Sequence, residues 1–564
     1  MTATPVFLAL AGLGNAVTGP LLGRLLLGVG LVVALAGLAA MSRPRDWYRR
    51  LTDRLLFGMP WGTVVLMAVL LAVYGGLQDG FGAADPIVLP FRAWSYLDPV
   101  GMVVAGLAHA NTSHLIGNLL GTLLLGSVTE SLWGHHTNRR TTTRLHAAWT
   151  QPVVRAVLIF PAAGILLSVL GALVALGPII GFSMVVFAFA GFTLVQAPVV
   201  TILASVSQGV LRRLLAAIQT PQQVATSGTT YSTPWFASIA IQGHAVGLLV
   251  GVLLGVGYQR MTRRQRPSAG VLWAAVLLFA VERSLWAVYW YRGNNSYVLY
   301  RAVGLGLVFV LASVVTYAVV ADDTPLFHQV AVDNPTTFLT DLTTVSSRQV
   351  GLLLLVTACA ILIAPAIATN ATTAADGDLP GEPIEMRGYE LTYGENVTNG
   401  QLNVIDIEGA GESTRLNTSG VIVRNTDRHI WSTAVSKSEL ANQGEAAIRL
   451  GGLTWEETVT ASRTGWQAVG GDTTYRVTLS HDNQSRPLYN AGVVEAEPIV
   501  AGQQVSLDAT DTGFRVGVDD ELGDLPAQNE SVRVGRLELR RRDGRLIAVN
   551  NRTQTAVRVA NKVG

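Results

Sequence analysis

Two residues in apolar surroundings are of types that could carry covalent chemistry. Ser183 closes the Pro/Gly-rich stretch Gly177-Pro-Ile-Ile-Gly-Phe-Ser183 and opens the apolar run Met184 to Val195. Its hydroxyl is therefore expected at a helix N-terminus, where unpaired backbone N–H groups and the helix dipole favour developing negative charge. His244 lies in Gly243-His244-Ala-Val-Gly247-Leu-Leu-Val-Gly251, also inside an apolar segment. An imidazole there is costly unless it has a partner or a task. A serine that attacks an amide must lose its proton, and histidine is the usual base because it titrates near neutrality. Three more polar side chains, His109, His114 and Asn118, fall in the apolar run 103–131. His114 and Asn118 are four apart and share a helix face. Asn118 offers an amide N–H, His114 a ring N–H and Ser183 its backbone N–H, a donor set suited to an oxyanion. No Asp or Glu lies at the matching level to orient His244, so a Ser-His dyad is expected rather than a triad. Phe187, one turn below Ser183 on the same face, is placed to hold the imidazole. The pair by itself is equally compatible with a serine bonded back to its own helix and a histidine satisfied in a helix contact.

Only a membrane-embedded bundle would bring such distant residues to one level. The chain of 564 residues is 50% hydrophobic and 14% charged, and carries successive uncharged apolar runs near the length that crosses a bilayer. Spans are expected at about 21–41, 59–77, 103–131, 156–176, 183–195, 197–217, 243–260, 271–291, 298–320 and 350–368. Residues 4–18 are apolar but short, and fit a signal-peptide core or an interfacial helix as well as a span. Arg43, Arg45, Arg49, Arg50 and Arg54 follow the first span, and Arg139, Arg140 and Arg144 lie in the loop 134–149 with His135, His136 and His146. The positive-inside rule puts both loops in the cytoplasm, with the N-terminus outside. By the same alternation His114, Asn118, Ser183 and His244 converge in the outer part of the membrane. Arg212 and Arg213 end the sixth span against that rule. Glu282 and Arg283 fall inside the 271–291 run, and as helix neighbours that do not face each other each needs a partner elsewhere.

From Asn370 the composition changes. Residues 1–369 hold 21 Arg and 11 Asp/Glu, whereas residues 370–564 hold 19 Arg/Lys and 27 Asp/Glu, a basic membrane part followed by an acidic solvated one. Short alternating runs such as Gly388–Tyr393, Gly420–Arg424 and Tyr475–Ser480, divided by Gly, Asn and Asp, predict an all-β, sandwich-like domain. Span parity places it outside the cytoplasm. Asn-x-Ser/Thr sequons at Asn370, Asn396, Asn417, Asn483, Asn529 and Asn551 agree with that side. His429 and His481 have no ligand-like neighbours in sequence, and the single cysteine, Cys359, leaves no disulfide framework or Cys-based metal site. The expected fold is thus a polytopic α-helical membrane protein with a C-terminal extracytoplasmic all-β, sandwich-like domain. Its parts are an N-terminal span and basic loop (1–55), a six-helix core (56–266), three further helices (267–369) and the β-rich domain (370–564).

Over about residues 59–260 these features resemble the rhomboid family of intramembrane serine proteases. The resemblance rests on His109-x4-His114-x3-Asn118, Gly126-x3-Glu130-x3-Gly134, Gly181-Phe-Ser183-Met and His244-x2-Gly247-x3-Gly251. It implies a Ser183/His244 dyad, an oxyanion site including His114 and Asn118, and supporting roles for His109, Phe187 and Gly181. It also implies glycines at 247 and 251 that let the histidine helix approach the serine helix. Met184 stands where a glycine is common, Phe187 where a tyrosine often stacks on the histidine, and Arg92 and Trp94 loosely match a Trp-Arg pair of the first outer loop. The first helix, the last three and the β domain lie outside the resemblance.

The expected activity is a serine endopeptidase of the cell membrane that cleaves transmembrane proteins near the outer surface, without metal or other cofactor. Its partners are membrane-protein substrates and the lipid bilayer, not nucleic acid; the partner of the β domain is unknown. The sequence has no His-Glu-x-x-His and no aspartate pair in the core, which argues against zinc and aspartyl intramembrane proteases. A His109/His114/His244 metal site would lack a carboxylate or thiolate ligand and leave Ser183 unexplained. The main alternative is a rhomboid-like binding or extraction factor without catalysis, which has no need of both Ser183 and His244. A transporter built on Glu282/Arg283 would call for an inverted repeat, which the sequence does not display.

Overall fold

The computed structural model describes residues 19–41, 53–82, 85–134, 151–222, 232–324, 345–371, 377–401 and 416–563. Residues 4–18 and most of the basic loops 43–50 and 134–149 lie outside them, together with His135, His136 and His146. The described chain contains a helical part followed by an all-β part interrupted by one short helix.

Eleven helices make the first part: α1 (Gly19–Met41), α2 (Trp61–Gly76), α3 (Pro99–Val104), α4 (Thr112–Trp133), α5 (Pro152–Val174), α6 (Ser183–Gln196), α7 (Pro198–Gln219), α8 (Ile241–Thr262), α9 (Ala269–Glu282), α10 (Arg301–Val320) and α11 (Ser347–Asn370). Six of these, α4, α5, α7, α8, α10 and α11, are long and apolar enough to cross a membrane, which is compatible with a multi-pass membrane protein. The apolar stretches of α1, α2, α6 and α9 are shorter. Helix α6, with 14 residues, rises about 21 Å, less than the roughly 30 Å of a bilayer's hydrocarbon. It is nonetheless apolar all round, because every residue from Val185 to Val195 is buried against other helices. An all-apolar helix of this kind is a core helix.

Three expectations are corrected. The apolar run 103–131 is not one helix: α3 ends at Val104, and α4 begins at Thr112, where the Asn111 side chain caps it by accepting from the His114 N–H at 2.8 Å. A capping asparagine favours a helix start over a helix interior, so His109 sits in the connecting loop. The expected span 271–291 stops at Glu282, and the chain turns into a hairpin, β1 (Tyr289–Tyr291) with β2 (Tyr297–Leu299). Arg283 is past the helical backbone (φ −91°, ψ 14°), which lets its Nε reach Glu282 Oε2 at 3.1 Å although the two are neighbours. Both also meet Ser205 of α7, and Arg283 donates to Gln208 Oε1 at 2.6 Å. Helix α7 ends at Gln219, close to the expected limit, and holds Arg212 and Arg213 near its end as expected.

The β part has two successive cores. A four-stranded antiparallel sheet, β3 (Ile384–Met386), β4 (Tyr389–Thr398), β5 (Asn417–Asn425) and β6 (Ile430–Ser436), packs through Leu391, Val423 and Val435 on β7 (Glu445–Gly451), β8 (Glu456–Ala468) and β9 (Thr473–His481). The short helix α12 (Lys437–Gln443) closes this core with Leu440. Strand β8 is 13 residues long, and its second half enters another core through Trp466 and Ala468. There β15 to β18 (Ser531–Val534, Leu537–Arg542, Arg545–Asn550, Thr555–Val563) of the same sheet face a smaller sheet of β11 to β14 (Val494–Glu495, Val505–Thr510, Gly513–Val518, Glu521–Asp524), while β10 (Gln484–Asn490) pairs with β9 and packs through Leu488 and Tyr489 on the first core. The buried residues of β12 alternate, Val505, Leu507 and Ala509, as period-two patterning requires.

Two expectations about this part also change. Asn370 is 1% exposed and donates its amide to Ala175 O at 2.9 Å, so it belongs to the helix packing and not to a surface sequon. The other five sequon asparagines are exposed or half-buried. His481 does have carboxylate neighbours: the β8–β9 pairing brings Glu457 to 3.0 Å of Nε2, and Asp482 lies 3.7 Å from Nδ1.

The β part is docked on the helical part, not tethered to it. Trp94, from the segment between α2 and α3, is 5% exposed and belongs to the first β core. Arg428 forks onto Asp98 at 3.1 and 3.2 Å and donates to Pro90 O at 2.6 Å. Arg449 bonds Asp79 at 3.0 Å and Asp85 O, and the Asn294 N–H reaches Asn417 O at 3.2 Å.

Candidate active site

The loop between α5 and α6 delivers the serine. Gly181 takes φ +118°, a region L side chains rarely adopt, and its N–H bonds Ala105 O at 2.8 Å. A Cβ there would run into the imidazole of His114 and come within 3.4 Å of Asn118 Nδ2. Glycine is thus required twice, for the turn and for clearance. The chain from Pro178 to Ile179 is fastened by Arg92, which donates to Pro178 O at 3.0 Å, and by the Ala93 N–H on Ile179 O at 3.0 Å. Ser183 is then the first residue of α6, half-buried, where the first-turn N–H groups have no helical acceptor.

Helix α8 brings the base. His244 Nε2 lies 2.8 Å from Ser183 Oγ, and the ring stacks on Phe187 at 4.2 Å between centroids and 11° between planes. This spacing fits an imidazole that accepts the serine proton, Nδ1 then carrying its own hydrogen. His244 Nδ1 is buried with no partner among the described residues, so the arrangement is a dyad without an orienting carboxylate. The ring is held instead by the Phe187 stack, and Phe187 is itself braced edge-to-face by Phe279 of α9 at 5.5 Å.

The close approach of α6 and α8 depends on small residues. A Cβ at Gly247 would strike Met184 O, one at Gly251 would strike Ala188 O, and one at Gly191 would strike Leu248 O. Just ahead of His244, Gln242 fastens the start of α8: its Nε2 donates to Val174 O at 3.0 Å and Leu362 O at 2.8 Å, and its Oε1 accepts from the Leu176 N–H at 2.9 Å.

Beside the Gly181 turn, Asn118 is 6% exposed and its Nδ2 has no acceptor among the described residues. A buried amide without a partner costs free energy and is here a donor beside the Gly181–Ser183 turn. His114 is half-buried next to it. His109 is 0% exposed, packs edge-to-face on His114 at 5.2 Å, and has no hydrogen-bond partner for either ring nitrogen among the described residues. Its backbone is clamped by Gln78, which accepts from the His109 N–H at 2.7 Å and donates to His109 O at 2.8 Å. At the far end of α4, buried Glu130 accepts from the N–H groups of Gly62 and Thr63 at 3.0 and 2.8 Å and so caps α2. The motif glutamate is therefore a helix anchor remote from the serine.

The structure thus brings together Ser183, His244, Phe187, Gly181, Asn118 and His114, with His109 behind His114 and with Gly247 and Gly251 in the helix seam. Gln242, Phe279 and Gln78 escaped sequence reasoning. A glutamine or phenylalanine in an apolar run has many possible uses, and each of these acts only through a partner far away in the chain. Among the described residues, His109, His114 and His244 do not gather into a three-ligand metal cluster. Glu457, His481 and Asp482 of the β part do place three candidate ligand atoms within 4.8 Å of one another. Beside the serine loop a cleft of about 530 Å³ opens between Arg92, Pro178 and Ala110 on the helical side and Trp431, Thr433 and Arg449 on the β side.

No family model matches the chain, and no curated protein or solved structure matches it.

Proposed function

We propose that the protein is an intramembrane serine endopeptidase of rhomboid type, acting on membrane-spanning proteins at the cell membrane with its β part on the extracytoplasmic side. The observation that carries this reading is the 2.8 Å contact between Ser183 Oγ and His244 Nε2 at the start of a buried helix. In support stand the Asn118 amide beside it, unpartnered among the described residues, and the burial of α6 on all sides.

In the reaction, Ser183 Oγ attacks the scissile carbonyl carbon while His244 Nε2 takes the hydroxyl proton. The carbonyl oxygen becomes an oxyanion that accepts from Asn118 Nδ2, His114 and the Ser183 N–H, donors already aimed before the charge develops. The tetrahedral intermediate collapses as His244 returns the proton to the leaving amine. Water, deprotonated by the same imidazole, then cleaves the acyl-enzyme and regenerates Ser183. The substrate segment must unwind locally, since a helical amide is shielded from attack.

The test is covalent labelling of the purified full chain by a serine-directed fluorophosphonate. Wild type is expected to label, whereas Ser183→Ala loses all label and His244→Ala loses at least about 10³-fold in labelling rate. Label that persists in Ser183→Ala, or a folded wild type that never labels, sinks the peptidase reading.

A further inference from the structure

At the end of the bundle remote from Ser183, five guanidinium groups line one pocket of about 350 Å³: Arg260, Arg263, Arg264, Arg266 and Arg348, with Gln259. They come from the last turn of α8, the segment after it and the first turn of α11. Three are tied down. Arg264 donates to Leu132 O at 2.9 Å, Arg266 to Val320 O and Ala321 O at 3.0 and 2.9 Å and to Asp322 at 2.7 Å, and Arg348 pairs with Asp323 at 2.9 Å. The side chains of Arg260 and Arg263 make no hydrogen bond or ion pair among the described residues. Asp322 and Asp323 are the carboxylates paired here, and their side chains are 75% and 70% exposed.

The positive-inside rule accounts for arginines after a span, but not for their convergence from separate helices on one cavity. Like charges repel, and with two of the five paired to Asp322 and Asp323 the space still keeps an excess of positive charge, which calls for a further counter-anion. Arg263 also holds a left-handed backbone (φ 52°, ψ 35°) where helices usually stop on glycine. The chain thus accepts backbone strain at a residue that lines the pocket. A guanidinium fork matches the oxygens of a phosphoryl group in a bidentate way that an ammonium does not. The pocket lies at the ends of three of the membrane-length helices, α8, α10 and α11, and Tyr258 lies under Arg264 at 5.3 Å. Arginine with an aromatic ring at that level is the pattern of a headgroup region.

We propose that this pocket binds a phosphoryl group, supplied by the headgroup of an anionic phospholipid. The proposal is independent of the peptidase reading. The full chain in neutral detergent is offered equal amounts of phosphatidylglycerol and phosphatidylcholine, and retained lipid is read by native mass spectrometry. Wild type is expected to retain phosphatidylglycerol about tenfold over phosphatidylcholine or better. Arg260→Gln/Arg263→Gln should lose most of that preference, and Arg545→Gln/Arg552→Gln, which removes equal charge from the β part, should keep it. Arg260→Lys/Arg263→Lys, which keeps the charge and loses the fork, should fall between and serves if the glutamine variant does not fold. Equal retention of the two lipids by wild type, or unchanged preference in both Arg260/Arg263 variants, overturns the proposal. A parallel arm with inorganic phosphate separates the sources: phosphate that binds and depends on these arginines, without any phosphatidylglycerol preference, assigns the pocket to a soluble phosphate and overturns the lipid assignment.

Discussion

Asn118 holds a buried amide N–H with no acceptor among the described residues, an arrangement that costs stability and that, under the proposed peptidase reading, is offset when an oxyanion forms beside it. Replacing it with leucine, close in volume, should therefore separate the two properties. Asn118→Leu is expected to lower kcat by about 10²–10³ while melting no lower than wild type, and activity and thermal unfolding measured on one preparation check both halves. Gly181 sits at the same turn with opposite consequences. Its φ of +118° and the His114 ring leave no room for a side chain, so any substitution there disturbs loop and donor together. Ser183, His244 and Phe187 were legible in the sequence because each stood out locally: a hydroxyl at a helix start, an imidazole in an apolar run, an aromatic one turn below. Gln242 was not, since its three partners lie in α5, α11 and the segment after α5.

Among the elements, the α6–α8 pair sets the distance across the dyad. Carbonyl oxygens of α6 pack directly over Gly247 and Gly251, so axial separation there is limited by backbone atoms. Gly251→Leu is expected to cost at least about 3 kcal/mol in unfolding free energy and to abolish activity by pushing His244 away from Ser183. Gly257→Ala, on the same helix where an added Cβ meets nothing within 4 Å, should be neutral or slightly stabilising, by up to about 1 kcal/mol. Chemical denaturation of the two variants in detergent decides the point. Glycine spacing announced this seam in the sequence. The break between α3 and α4 was less visible, because apolar character continues across it and only the Asn111 cap marks the new start.

For the whole molecule, the docking of the β part turns on Asp98 and Arg428. Asp98 is 2% exposed; burial pushes its carboxyl above the usual carboxylate range, and the Arg428 guanidinium partly offsets this. A carboxyl whose folded pKa is raised binds its proton more tightly when folded. Its contribution to stability is fully present below about pH 4 and is lost as pH rises through the raised value. Arg428→Gln removes the compensating charge and leaves a buried carboxylate with little beyond the Gly101 N–H to stabilise it. The expected loss is about 3–5 kcal/mol at neutral pH, shrinking as pH falls from neutral and Asp98 takes up its proton. Thermal unfolding of the variant against wild type across that range is the measurement, and a deficit that grows on acidification would contradict the sign.

Composition and local pattern determined the division into an apolar helical part and a β part, the approximate place of most of the long helices, and a short roster of side chains with chemistry in reach. Those features follow from period, length and burial of single segments, which the chain carries in its own order. Tertiary structure alone decided that α6 is a buried core helix, that α9 braces Phe187, that Glu130 caps α2 and Asn370 faces inward, and that the β part is seated on the helical part by Trp94, Asp98 and Arg428. Each is a contact between residues far apart in sequence, and such contacts depend on how whole surfaces fit, which no local pattern encodes.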